Sequence, residues 1–271
     1  MSSAVPVTRF LRPAVIAAIA LTAIFASTIE AQSDRWNADP VASSAGCASL
    51  DHGEIEQFLA RYLYPALAYS GSQQDSVALI PIHYAMATTL VLRAQICLAE
   101  ALELKDLAFK LQEQVALLTS GTSMSRHQIK KQRELTDEAN AEIDQATARL
   151  DELSPERRRL FARGTVAYLG GTYATWRVFN SIQQFVSDTK DELNEATKEE
   201  GHAGRKLAKF ASGAFGRAKL TKDVSPVLGG LHEHTRNLYQ TSRLLIDYAD
   251  RQKIEIPTDA TDQLAELSDW V

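Results

Sequence analysis

From Asp51 to the C-terminus the apolar residues recur at spacings of three and four, and no stretch of strand length alternates apolar with polar residues. That spacing lines up side chains on one face of a helix, whereas a half-buried strand needs a period of two. The chain is therefore expected to be all-α. Because the helical segments are long, the expected form is an elongated antiparallel helical bundle with a long coiled-coil-like helix and a close-packed Gly/Ala helix face. Residues 51–271 are read as a single bundle domain, preceded by an arm over residues 32–50 that is rich in Ser, Ala, Asp and Asn.

Punctuation divides the domain into helices. Asp51 followed by Glu54 has the spacing of a capping box and opens a first helix through Ile55, Phe58, Leu59 and Tyr62, ending at Pro65. After the loop AYSGSQQDS, a second helix is expected over residues 76–119, stopped by Gly121. Its first half, IPIHYAMATTLVLRAQICLAEAL, is apolar nearly all round and should be the centre of the core, with His83 and Arg93 as its polar exceptions. Ser125 and Gln128 start a third helix that runs to Leu153. Its apolar residues Ala139, Ile143, Ala146, Leu150 and Leu153 form a narrow seam, and the charged residues between them read as a solvated face. This helix would be about 42 Å long. Ser154 and Pro155 are a cap and a first-turn proline, so a fourth helix follows after a corner or a kink.

The fourth helix, residues 155–200, contains FARGTVAYLGGTYATW. Each interior glycine costs about 0.5–1 kcal/mol relative to alanine, so the missing side chains must serve packing. Gly164, Ala167, Gly171, Ala174 and Val178 follow one another at spacings of three, four, three and four and form a groove for another helix. The second helix of the same chain is its expected occupant, with self-association or docking of a partner helix as the alternative. Phe161, Tyr168, Trp176 and Phe179 would wall it, and a ligand slot lined by Tyr168, Tyr173 and Trp176 is an alternative with no polar signature behind it. Ser225 and Pro226 open a fifth helix carrying Leu228, Leu231, Leu238, Leu245 and Ala249. His232 and His234 sit about 200° apart on it, so they do not form a metal pair. A short terminal helix around Leu264 and Leu267 should close the end of the bundle.

Between these helices, residues 201–222 hold six basic residues and no acidic one. Leu207, Phe210 and Phe215 fall on one face of a helical plot and Arg205, Lys206, Lys209, Arg217 and Lys219 on the other. Such a basic amphipathic segment can pack on the bundle, lie on an anionic membrane surface or meet a protein partner.

Residues 1–31 read as a secretory signal. Arg9 and Arg12 precede an apolar run from Ala14 to Ala26, which falls short of the roughly 20 residues of a membrane span, and cleavage is expected after Ala31. The destination is periplasmic or secreted. In an oxidising compartment the two cysteines, Cys47 and Cys97, are expected to form a disulfide. The alternative is a buried thiol at Cys97. Loss of Arg9, Arg12 and Glu30 takes the charge from −5 to −6, which argues against nucleic acid as a partner.

No GxSxG elbow, P-loop, dinucleotide fingerprint, CxxCH or HExxH motif occurs. No catalytic, cofactor-binding or metal-binding residue is assigned, and an enzyme is not expected. The reading is a non-catalytic envelope scaffold, adaptor or chaperone-like protein that works through helix association, alone or with a protein partner. A membrane-surface protein using residues 203–220 is the alternative. A small-molecule carrier or enzyme with a pocket beside the Gly/Ala groove is third.

Overall fold

The structure, a computed structural model, describes residues 39–43, 47–63, 73–119, 126–198 and 230–268, and every regular element among them is helical. The leader and the basic segment 201–222 lie outside the described residues. A short α1, Pro40–Ser43, and a 3₁₀ turn, Cys47–Ser49, lead into α2, His52–Phe58. Asp51 caps α2, its Oδ1 accepting the Glu54 N–H at 2.9 Å. The helix then widens into a π-turn, Leu59–Leu63.

The expected helix over 76–119 is two helices. The first, α3 (Gln73–Ala101), ends in a reversal, and α4 (Lys105–Thr119) returns along it. Glu103 sits at φ 64°, the Leu104 N–H reaches the Ala99 carbonyl at 2.8 Å, and the Glu103 N–H reaches the Glu100 carbonyl at 3.2 Å. This is a Schellman turn with glutamate in the place usually taken by glycine, which is why the sequence hid it.

The third helix, α5 (Arg126–Arg149), and the fourth, α6 (Pro155–Lys198), meet at a corner. Tyr168 Oη donates to Asn140 Oδ1 at 2.8 Å, and both residues lie 14 positions from Ser154, so the chain doubles back there. Gln252 clasps the turn, its Oε1 accepting the Leu153 N–H at 3.0 Å and its Nε2 donating to the Asp151 carbonyl at 2.8 Å.

The fifth helix, α7, is described over Leu231–Arg251, with Gly230 at φ 79° immediately before it; the expected start at Ser225 and Pro226 lies outside the described residues. Phe161 with Tyr248, Thr172 with Ser242, and Phe179 with His232 pair α6 against α7. A second Schellman turn, with Lys253 at φ 56° and the Ile254 N–H on the Ala249 carbonyl at 2.9 Å, ends α7. Helix α8 (Thr258–Ala265) follows. Leu264 and Leu267 pack on Leu169 and Tyr173 in the middle of α6, so this helix covers a flank and not the end of the bundle.

The core is centred on two segments buried all round, residues 86–99 of α3 and 164–175 of α6. The stretch Ile82–Ala101 is long and apolar enough to cross a membrane, and it is almost wholly buried inside the bundle. Its even apolarity is what a central core helix requires.

Candidate functional site

The small-residue ladder is fully enclosed. Gly164, Ala167, Gly171, Ala174 and Val178 are all buried. A Cβ on Gly164 would fall 2.9 Å from Leu98 Cγ, and one on Gly171 would fall 2.7 Å from Val91 Cγ2 and 3.0 Å from its backbone nitrogen. The contacts descend α3 as they ascend α6, so these two helices run in opposite directions with backbones in close approach. Gly170 faces elsewhere. A Cβ there would lie 3.1 Å from Ile55 Cγ2 and 3.5 Å from Leu59 Cδ1, side chains of the N-terminal segment. The adjacent glycines thus serve two separate contacts.

The aromatic residues expected as walls disperse to different neighbours. Phe161 lies 5.0 Å from the Tyr248 ring, Phe179 stacks on His232 at 6.1 Å, and Tyr168 points to Asn140. Tyr173 donates to Glu266 Oε2 and accepts from Arg177, both at 3.1 Å, and its ring lies 5.5 Å from Trp176. Tyr168 and the Tyr173–Trp176 pair therefore line no common slot.

Cys47 and Cys97 are bonded. The disulfide fixes the N-terminal segment to α3, and Arg93 reinforces it from one turn earlier. Its guanidinium donates to the Val41 carbonyl and to Ser49 Oγ, the latter at 3.0 Å. Burial pulls the Arg93 pKa down to about 10, with Asp39 opposing, so the side chain stays charged near neutrality. Asp39 also pairs with Arg61 at 3.2 Å.

A polar stripe that the apolar seam of α5 concealed enters the core beside that seam. Gln132, Thr136, Asn140, Asp144 and Thr147 follow at spacings of four, four, four and three. Tyr84 Oη accepts from Arg133 Nε at 3.1 Å and lies 3.3 Å from Gln132 Oε1. Gln132 Nε2 donates to Thr136 Oγ1 at 3.1 Å, and Gln95 Nε2 donates to Asn140 Oδ1 at 2.7 Å. Burial raises the Asp144 carboxyl to about 6. The same cause lowers His83 to about 4 and also lowers His234, where Asp137 opposes it. His234 Nδ1 lies 3.7 Å from Asp137 Oδ1, while His232 is outward on Phe179, so the two histidines do not converge. The signal for this stripe was the four-residue recurrence of amides and hydroxyls.

No family model, curated protein or solved structure matches the chain.

The outer faces carry the remaining candidates. On α4, Leu107, Leu111, Val115 and Leu118 turn inward, and Phe109 and Leu117 stand out at 61% and 59% exposure. They are about 80° apart around the helix, with exposed Asp106 and Glu113 between them and exposed Ala116 about 20° to the other side of Phe109. The surface residues expected at Arg205, Lys206, Leu207, Lys209, Phe210, Phe215, Arg217 and Lys219 lie outside the described residues.

Proposed function

We propose that this is an exported protein of the cell envelope, an elongated antiparallel bundle that acts without catalysis as a scaffold, adaptor or chaperone-like binding protein. The disulfide between Cys47 and Cys97 supports an oxidising compartment. Two features support elongation: α6 alone has 44 residues, about 66 Å of helix, and its pairings with α3 and α7 run in opposing directions.

The observation that carries the reading is the pair of outward apolar side chains on α4, Phe109 and Leu117, which flank the exposed carboxylates Asp106 and Glu113. With α3 in the Gly/Ala furrow, association falls to the outer faces. An exposed phenylalanine and leucine on one side of a helix offer apolar area to an amphipathic helix of another chain. A second copy of this protein is the simplest such partner. A photoreactive amino acid in place of Phe109 should crosslink into a defined higher-mass species, and one in place of exposed Ala148 should not. Equal crosslinking from both positions, or none from either, would refute the role of this face.

A further inference from the structure

Three polar side chains, Gln95 of α3, Asn140 of α5 and Tyr168 of α6, meet in the core. Gln95 Nε2 donates to the Thr136 carbonyl at 2.9 Å and to Asn140 Oδ1 at 2.7 Å. Tyr168 Oη donates to the same Oδ1 at 2.8 Å. These contacts fix both amides. Turning Asn140 over would set its NH₂ against the Gln95 NH₂, and turning Gln95 over would set its oxygen against the Thr136 carbonyl. In this orientation Gln95 Oε1 has no donor and Asn140 Nδ2 has no acceptor, and both atoms are shielded from solvent. One helical turn along α5, Asp144 Oδ1 is buried and unpartnered as well.

Each such orphan costs about 1–3 kcal/mol, and three together would consume much of the roughly 5–15 kcal/mol that stabilises a domain. Whatever satisfies them must accept from an amide N–H and donate to an amide carbonyl. A cation fails at Asn140 Nδ2, and an anion fails at Gln95 Oε1 and at Asp144. Gln95 and Asn140 are 0% and 5% exposed, so nothing large reaches them without the helices parting. Water both accepts and donates, and buried waters bind two to four polar groups left over by the protein.

We propose that Gln95, Asn140 and Asp144 bound an internal hydration site, where at least one resident water bridges α3 to α5. The bridge completes the hydrogen bonding that Tyr168 and the two amides leave open, and it makes solvent a structural part of the core.

Water-selective cross-relaxation spectroscopy on the full-length isotope-labelled protein tests this. The Asn140 side-chain amide protons should show a water cross-peak of the sign that marks water tumbling with the protein. The peak should persist in Tyr168→Phe, which removes the nearest hydroxyl able to relay exchange. It should be lost in Gln95→Met, which keeps the Asn140 amide as the reporter and removes the carbonyl to which the water bridges. The wild-type and Tyr168→Phe spectra suffice if the Gln95 variant does not fold. No such peak in the folded wild type, its loss in Tyr168→Phe, or an organic molecule retained in native mass spectrometry would overturn the proposal.

Discussion

Gly171 of α6 lies against Val91 of α3 so closely that a single added carbon would stand 2.7 Å from Val91 Cγ2 and 3.0 Å from the Val91 nitrogen. The second distance is to backbone, which has no rotamer to escape into. Helix α3 is thus seated on α6 at the distance that glycine allows, and dispersion attraction along the close crossing offsets the helix propensity that glycine forfeits.

Gly171→Ala should therefore destabilise the protein despite alanine's better helix propensity. Overpacking costs about 1–3 kcal/mol, against a propensity gain of up to about 1 kcal/mol. Gly170→Ala meets only side-chain atoms, the nearest at 3.1 Å, and should be milder. Chemical denaturation of the two variants beside wild type measures the order. A Gly170 variant weaker than the Gly171 variant would show the crossing to be wrongly described.

Glu103 and Lys253 occupy left-handed backbone at φ 64° and φ 56°. That conformation costs a residue with a side chain roughly 1 kcal/mol, so Glu103→Gly and Lys253→Gly should each raise stability by several tenths of a kcal/mol up to about 1. The gain would appear as a higher Tm. A drop for both would mean that these turns are not of the Schellman type.

Asp144 makes the bundle's stability fall as pH rises. Burial lifts its carboxyl from 3.8 to about 6, so the folded state holds the proton more tightly than the unfolded one. Its stabilising effect is complete below pH 3.8 and is lost as pH rises through 6. Asp144→Asn should raise Tm by a few degrees at neutral pH, with the advantage shrinking toward zero as the pH falls to the ordinary carboxylate range. A constant difference across this range would contradict the assignment.

His83 acts in the opposite sense. Its pKa falls from 6.5 to about 4 on burial, so the neutral form contributes fully above pH 6.5 and the stability is lost as pH falls toward 4. The shift corresponds to about 3 kcal/mol at acid pH. Unfolding of wild type and His83→Leu between neutral pH and about pH 4 should show the variant losing less stability on acidification. Parallel curves would place His83 in contact with water.

Which of these features could be read from the sequence follows from the strength of the local signal. Spacings of three and four are dictated by helix geometry, so the all-α class and the Gly164-to-Val178 ladder were legible. Ser154 and Pro155 marked a break but not its angle; the Tyr168–Asn140 contact, which closes the hairpin, is tertiary. The reversal at Glu103 left no trace, because the turn tolerates a residue that does not prefer it. The polar stripe was masked by its neighbours. Gln132, Thr136 and Asn140 resemble surface residues until Tyr84, Gln95 and Tyr168 arrive from other helices to bond them. Tyr168 and Tyr173 are close in sequence, but a spacing of five sets them about 140° apart around α6, and Trp176 stays beside Tyr173.

The most direct test of the claim that this protein works by association through α4 is light scattering coupled to size exclusion, on wild type and on Phe109→Ser/Leu117→Ser, over a range of concentrations. Wild type should exceed the monomer mass of 29.8 kDa, less any leader removed, and the variant should return to it with its helical signal and Tm unchanged. A monomer in both proteins at every concentration, or an assembly untouched by the substitutions, would contradict it.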